Sequence, residues 1–216
     1  MRAGALAPYE GALAGSRPLG FIDGHGRVLP LAIQRYLAEA DDADQTVLDR
    51  CLGPTLDVGC GPGRIVYALA AAGHAALGVD IAEAAVELTQ GRGATALSRD
   101  VFERVPGEGR WPTVLLLDGN IGIGGDVTGL LGRVRRLMAL QGSVIVEAST
   151  AEPGTDEVLV VRFAEAGRPV GPEFGWARVS VDVLVDRATT AGLDAVDYWS
   201  AGGRDFVRFE RSTSMA

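Results

Sequence analysis

The sequence predicts an α/β fold built on a mostly parallel sheet with helices on both faces. Three observations predict it. Residues Leu56-Asp57-Val58-Gly59-Cys60-Gly61-Pro62-Gly63-Arg64 read as a buried strand that enters a glycine turn and opens a helix. From Thr55 through Val146, apolar strand-like runs alternate with helical patterns, the rhythm of a parallel sheet. Two short apolar runs around Gly202-Gly203 then read as an antiparallel pair.

Each element follows in order. Residues 1–20 are rich in Gly, Ala and Pro without clear periodicity, and read as a segment that wraps or frays. Phe21 to Leu29 reads as a hairpin around Asp23-Gly24. Helices are expected from Leu31 to Ala40 and from Asp44 to Cys51, the second capped by Asp42 or Asp44. Behind the glycine turn, Ile65, Leu69 and Ala72 recur at helical spacing. Leu77 to Asp80 is the second core strand, with a helix over Ala82 to Leu88, and Ser98 to Val101 follows a third strand. Val114 to Leu117 is the fourth strand, Leu130 to Leu140 the next helix and Val144 to Glu147 the fifth strand. Val158 to Phe163 and Gly175 to Val179 flank a predicted loop containing Gly167, Pro169, Gly171 and Pro172. Val181 to Ala191 is helical and stops at Gly192, ahead of strands over Leu193 to Trp199 and Phe206 to Phe209. The whole is expected to form one domain over 1–216. Within it, 1–50 is a hairpin and helical front segment, 54–150 the alternating core, and 151–216 the closing strands and helix.

The glycine turn carries the chemistry. Glycines at alternate positions let the backbone turn tightly and pass close to a ligand. Asp80 lies 21 residues beyond Gly59, the spacing at which an acid past the second strand meets a ribose hydroxyl. Together they indicate a nucleoside-bearing cofactor. A dinucleotide fingerprint needs a third glycine where Arg64 stands, so that register fails. A P-loop needs a lysine, and the chain has none.

The arrangement resembles the class I S-adenosylmethionine-dependent methyltransferases of small-molecule type. Leu56 to Arg64 resembles the family's first motif, and Gly78-Val79-Asp80-Ile81 its second. Ser98-Arg99-Asp100-Val101 resembles the segment after the third strand, and Val114 to Leu117 with Asp118-Gly119-Asn120 the fourth strand and its loop. The resemblance runs continuously over about residues 54–150. It implies a Rossmann-like three-layer sandwich with a seven-stranded sheet and a C-terminal antiparallel hairpin. It also implies S-adenosyl-L-methionine as cofactor. On that resemblance Gly59, Gly61 and Gly63 form the turn, and Cys60 contributes backbone. Asp80 takes the ribose hydroxyls, and Ile81 lies against the adenine. Asp100 accepts from the adenine amine, the Val101 N–H serves a ring nitrogen and Phe102 covers the edge. Asp57 braces the loop or reaches the cofactor ammonium through water, and Asp118 or Asn120 orients the acceptor or the cofactor's amino group. The expected activity is methyl transfer to a small-molecule acceptor at O, N or C, by in-line displacement that rests mainly on proximity. The alternative reading is a cofactor-binding interaction or regulatory protein without turnover.

No catalytic base stands out. His25, Asp118 and Asn120 are the candidates, His25 reading first as an ordinary hairpin-tip histidine. Tyr9, Arg27, Tyr36, Tyr67, Phe174 and Trp176 are candidates to line the acceptor side. Asp126 reads as a helix cap, and Arg133, Arg135 and Arg136 as a solvated helix face. A net charge of −8 argues against a nucleic-acid partner. Two cysteines make no disulfide framework, and two histidines assemble no recognisable metal site. With no secretory leader or membrane-length apolar run in the sequence, a cytoplasmic location without membrane partners is expected.

Overall fold

The computed structural model describes residues 5–15, 17–149 and 151–213. Ahead of the core lie helix α1 (Ala7–Gly15), a hairpin of β1 (Gly20–Asp23) and β2 (Val28–Pro30), and short helices α2 (Ile33–Leu37) and α3 (Asp42–Leu48). The core alternates β3 (Thr55–Val58), α4 (Arg64–Ala71), β4 (Ala76–Asp80), α5 (Glu83–Gly91), β5 (Ala96–Ser98) and β6 (Trp111–Leu116). A glycine-rich 3-10 segment, Asn120–Gly125, leads into α6 (Val127–Leu137) and β7 (Met138–Ala148). A long hairpin of β8 (Asp156–Glu165) and β9 (Arg168–Val179) precedes α7 (Val181–Thr190), β10 (Leu193–Ala201) and β11 (Arg204–Arg211).

Seven strands form the main sheet in the order β10-β11-β7-β6-β3-β4-β5. The last five run parallel, whereas β11 is antiparallel to β7 and to β10. This is the expected Rossmann-like sandwich with its closing hairpin. Alternate strand residues face opposite helical layers. Val58, Val114, Leu116 and Val146 pack against α6 and α7 through Leu130, Val134, Leu184 and Ala188. Leu115, Leu117 and Ile145 pack against α3 and α4 through Val47, Ile65 and Leu69. Burial on both faces is why these strands read as continuous apolar runs. The strand order reverses at β3, between β4 and β6, so a crevice opens at the carboxyl ends of these strands.

A second, antiparallel sheet of order β2-β1-β8-β9 covers that crevice. It unites the front hairpin with the 156–179 hairpin, pairing Gly20 with Ala164 and Phe21 with Phe163. Phe21, Val161 and Phe163 bury their side chains on its inner face, with Leu159, Phe174 and Trp176 packed against them.

Several local expectations need correction. The segment before residue 20 contains α1, whose Ala12 and Leu13 are buried among Ala82, Ala85, Val161 and Phe163. That helix has neighbours on more than one side, so no one-faced apolar period marks it. Helix α2 stops at Leu37, short of Ala40. The N-cap of α3 is Asp41, which accepts from the Asp44 N–H at 2.8 Å while Asp44 accepts from the Asp41 N–H at 3.0 Å. The predicted 167–172 loop is mostly strand. The chain reverses at Ala166-Gly167, both left-handed, and Pro169, Gly171 and Pro172 lie within β9. Proline fits there because β9 is an edge strand and its register shifts near Phe163. Asp126 caps α6 by accepting from the Gly129 N–H at 2.9 Å, and a left-handed Gly192 follows α7, both as expected. No helix among the described residues is long and apolar enough to cross a membrane.

Candidate functional site

A cavity of about 590 Å³ lies at the carboxyl ends of β3, β4, β5 and β6, under the second sheet. Its volume is within the ~300–1,000 Å³ usual for small-molecule sites. The floor begins with the turn after β3. Gly59, Gly61 and Gly63 all have positive φ, a conformation that side chains resist. Asn120 ties the turn to the β6 loop, its Nδ2 donating to the carbonyls of Val58 (2.9 Å) and Gly59 (2.8 Å). A Cβ on Gly59 would sit 2.6 Å from that amide, so the brace itself demands glycine. Thr89 on α5 holds the other side, donating to the Gly61 carbonyl at 2.9 Å.

Asp80 closes the strand–helix–strand unit. Its Oδ2 accepts from the Gly61 N–H and its Oδ1 from the Ala82 N–H, each at 2.9 Å. Each carboxylate oxygen keeps a further lone pair for a ligand. Ala82, not Asp80, occupies the N-cap position of α5. Burial raises the Asp80 carboxyl above its ordinary range, against the pull of the Ala82 and Gly61 amides. Asp57, 3% exposed, also borders the cavity and accepts no hydrogen bond from a described residue. Burial, with Asp118 and Asp80 close by, pushes its carboxyl up to about 8.

Asp118 sits at a left-handed φ of 55° just past β6. Arg35 approaches it at 2.8 Å and Arg64 at 2.6 Å, and its own N–H donates to Glu147 at 2.7 Å. Arg64 also pairs with the fully buried Asp44. Arg204 completes the network, meeting Asp44 at 2.7 Å and Glu147 at 3.0 and 2.7 Å. Three arginines thus balance three acids beneath the cavity. With Arg35 and Arg64 at hydrogen-bond distance and Arg204 at 3.6 Å, Asp118 is a poor choice for a free base.

On the side of the third strand, Asp100 accepts from the Phe102 N–H at 2.9 Å and borders the cavity with Val101 and Phe102. This loop is held by Arg133, which donates to the Val101 carbonyl at 2.7 Å and pairs with Glu108. Arg133 is 6% exposed, so its expected place on a solvated helix face is corrected: the guanidinium turns inward to satisfy loop carbonyls. The glycines of the Asn120–Gly125 segment receive the second sheet. A Cβ on Gly122 would lie 2.3 Å from the Ala177 carbonyl oxygen and 2.7 Å from the Trp176 ring.

The structure brings most sequence-predicted residues together. Asp57, Gly59, Cys60, Gly61, Asp80, Ile81, Asp100, Val101, Asp118 and Asn120 all border the cavity, as do Tyr9, Tyr36, Phe174 and Trp176. Gly63 does not; it precedes α4 with its Cα against Thr89. His25 lies on the exposed tip of the front hairpin, away from the cavity wall, and Arg27 beside it pairs with Asp23 and Glu157. Tyr67 packs with Val66 and Val86 instead. The Cys60 thiol fills the space a side chain on Gly78 would need, and burial raises it well above its ordinary range, unsuited to a nucleophile. Sequence reasoning missed Phe21 and Phe163 on the wall and the guanidinium groups around Asp118. Alternation through Leu159, Val161 and Phe163 was the available signal for the first; the second has no local signal.

The glycine turn and the Asp80 carboxylate meet at a topological switch point, where open α/β sheets place their ligands. Residues 55–139 match the sequence model of the methyltransferase domain family. A SAM-dependent methyltransferase from Bacteroides fragilis, solved in complex with S-adenosyl-L-homocysteine, superposes with a TM-score of 0.77 at 19% identity, covering 96% of this chain and 94% of that one. The Burkholderia thailandensis 1,6-didemethyltoxoflavin-N1-methyltransferase, solved with 1,6-didemethyltoxoflavin and S-adenosylhomocysteine, gives 0.61 at 17% identity, over 79% of this chain and 77% of that one. The sugar N-methyltransferase KedS8 from Streptoalloteichus gives 0.58 at 18%, over 82% and 88%. No curated protein matches the chain by sequence. Residues 55–139 thus carry a methyltransferase-domain sequence pattern, and the chain shares the fold of S-adenosylmethionine-dependent methyltransferases.

Proposed function

We propose that this protein transfers a methyl group from S-adenosyl-L-methionine to a small-molecule acceptor enclosed between the glycine turn and the second sheet. One observation carries the reading: a single cavity borders the Gly59–Gly61 turn, the carboxylate of Asp80 and the inner face of that sheet. The residues fit the cofactor. Asp80 retains lone pairs on both oxygens after bracing Gly61 and Ala82, which suits a pair of ribose hydroxyls. Asp57 offers an unpartnered carboxylate to a cationic group, and ionises more readily when one is near. Asp100 and Val101 would take the adenine edge, with Ile81 and Phe102 beside the ring. Held by these residues, the cofactor would supply an electrophilic sulfonium methyl for in-line transfer to an acceptor lone pair, with a neutral thioether as the leaving group.

The protein's share is positioning. Asn120 and Thr89 fix the turn, and the arginines around Asp118 fix the β6 loop, so both sides of the cavity are set before ligands arrive. Near-attack geometry of this kind can contribute about 7–11 kcal/mol. No histidine borders the cavity, which favours an acceptor that attacks without a dedicated base. The reading is tested by incubating the protein with S-adenosylmethionine and a panel of small amines and phenols. It expects S-adenosylhomocysteine and a methylated product in equal amounts. Cofactor binding without either product across the panel would favour the regulatory alternative.

A further inference from the structure

The chain has 3 Trp, 4 Tyr and 6 Phe, and seven of these rings border this one cavity. Six lie on its acceptor side: Tyr9 and Tyr36 from the front helices, Phe21, Phe163, Phe174 and Trp176 from the second sheet. They pack as a continuous wall. Phe21 lies 4.8 Å from Trp176, 5.3 Å from Phe174 and 5.5 Å from Phe163, centroid to centroid. Tyr9 stacks over Phe163 at 6.5 Å.

Among the described residues, this side offers an anion no free cation. Glu173 is the one charged side chain among them here, and it pairs with Arg162 at 3.0 Å on the exposed rim. Among the described residues, two arginines border the cavity, both on the cofactor side. Arg64 directs its two terminal nitrogens at Asp44 and Asp118, and Arg99 lies beside Glu103 on the exposed surface. A phosphate or carboxylate here would lose its hydration without gaining a partner. A sugar would fare little better, because a wall built mostly of ring faces and edges leaves few polar partners for several buried hydroxyls. The Tyr9 hydroxyl accepts or donates no hydrogen bond among the described residues, and it lies 3.2 Å from where a Cβ on Gly61 would stand. It is therefore a polar group at the glycine turn, available to orient an acceptor.

We infer that the acceptor is a flat aromatic molecule without phosphate or carboxylate groups, stacked among the rings of Phe21, Phe163, Phe174 and Trp176 with its amine or hydroxyl turned toward Tyr9 and the glycine turn. Ring faces and edges in such a wall receive a planar ligand in offset or edge-on contact. The second sheet, docked through Gly122 and Trp176, covers this side of the cavity with rings. The inference rests on the proposed methyl transfer for the identity of the second ligand, not for the existence of the aromatic subsite.

The test is calorimetric titration of the full chain, with and without saturating S-adenosylhomocysteine, using 1-naphthol, 1-naphthyl phosphate and D-glucosamine as probes. Saturable binding of 1-naphthol is expected, with the phosphate and the amino sugar each weaker by about 10-fold or more. Phe174→Ala, at a half-buried wall position, is expected to weaken 1-naphthol by about 5-fold or more while leaving S-adenosylhomocysteine affinity unchanged. Should that variant fold poorly by circular dichroism, Phe163→Leu serves the same purpose. No binding of 1-naphthol, equal or tighter binding of either polar probe, or an unchanged affinity in a folded wall variant would each overturn the inference. The two readings fail separately. Loss of S-adenosylhomocysteine binding with 1-naphthol retained removes the cofactor assignment and leaves the aromatic subsite; the converse removes the subsite alone.

Discussion

Asp57 is the residue at which burial and charge conflict most openly. Enclosed at the end of β3 and facing Asp80 and Asp118, its carboxyl is pushed up to about 8 from 3.8. The folded protein therefore holds this proton across a window in which the unfolded chain has lost it. Between those values the native state binds more protons, so raising the pH lowers stability. Asp80 shifts in the same direction, which is why the informative comparison is with Asp57→Asn. In the absence of ligand, wild type is expected to lose stability relative to Asp57→Asn from about pH 4 to about pH 8, with no further divergence above. Urea unfolding at a series of pH values reads this directly. Parallel profiles for the two proteins would show that Asp57 is already ionised in the fold.

At the scale of elements, two contacts hold the loops that border the cavity. Arg133 on α6 reaches the carbonyls of Val101 and Glu103 and the carboxylate of Glu108. Arg133→Ala leaves buried acceptors unmatched and is expected to cost about 1–3 kcal/mol. A protein of this length would then lose about 2–4 °C in Tm per kcal/mol. An unchanged Tm would show that water replaces the guanidinium. Gly122 is the second contact, where β9 rests on the 3-10 segment. Gly122→Ala drives a methyl into the Ala177 carbonyl, and overpacking of this kind costs about 1–3 kcal/mol. Thermal melts should show that loss, and 1-naphthol binding should weaken with it; a stable variant that still binds would mean β9 can ride outward freely. These contacts also explain what the sequence does and does not disclose. The Gly59 turn and Asp80 are legible because their geometry is set within one strand–helix–strand unit. The run of glycines from Gly119 to Gly125 is visible, but the purpose of Gly122, approach by a strand some 50 residues later, is not. Likewise Pro169 and Pro172 look like loop residues until β9 proves to be an edge strand.

For the whole molecule, the second sheet and the ion network are the features that cross the chain. Phe21 pairs with Phe163, and Asp44 meets Arg204, at separations where no periodicity or spacing rule applies. No local pattern encodes pairings so distant, whereas each strand of the parallel core carries its own apolar run. The network joins α3, α4, β7 and β11 through Asp44, Arg64, Glu147 and Arg204, all 7% exposed or less. Asp44→Ala would leave two buried guanidinium groups short of a partner, at a cost of about 3–5 kcal/mol. Being buried, the loss should depend little on salt. A small effect, or one that vanishes in high salt, would place these charges in contact with solvent.

The central claim is that the Gly59 turn and Asp80 hold S-adenosylmethionine. It is tested most directly by calorimetric titration of wild type and Asp80→Ala with S-adenosylhomocysteine, with NAD as control. Saturable binding of S-adenosylhomocysteine alone is expected. In a folded Asp80→Ala its affinity should fall about 10-fold or more, since hydrogen bonds to a charged group contribute about 1.5–3 kcal/mol. Binding of NAD in its place, or an affinity unmoved by the loss of Asp80, would contradict the account.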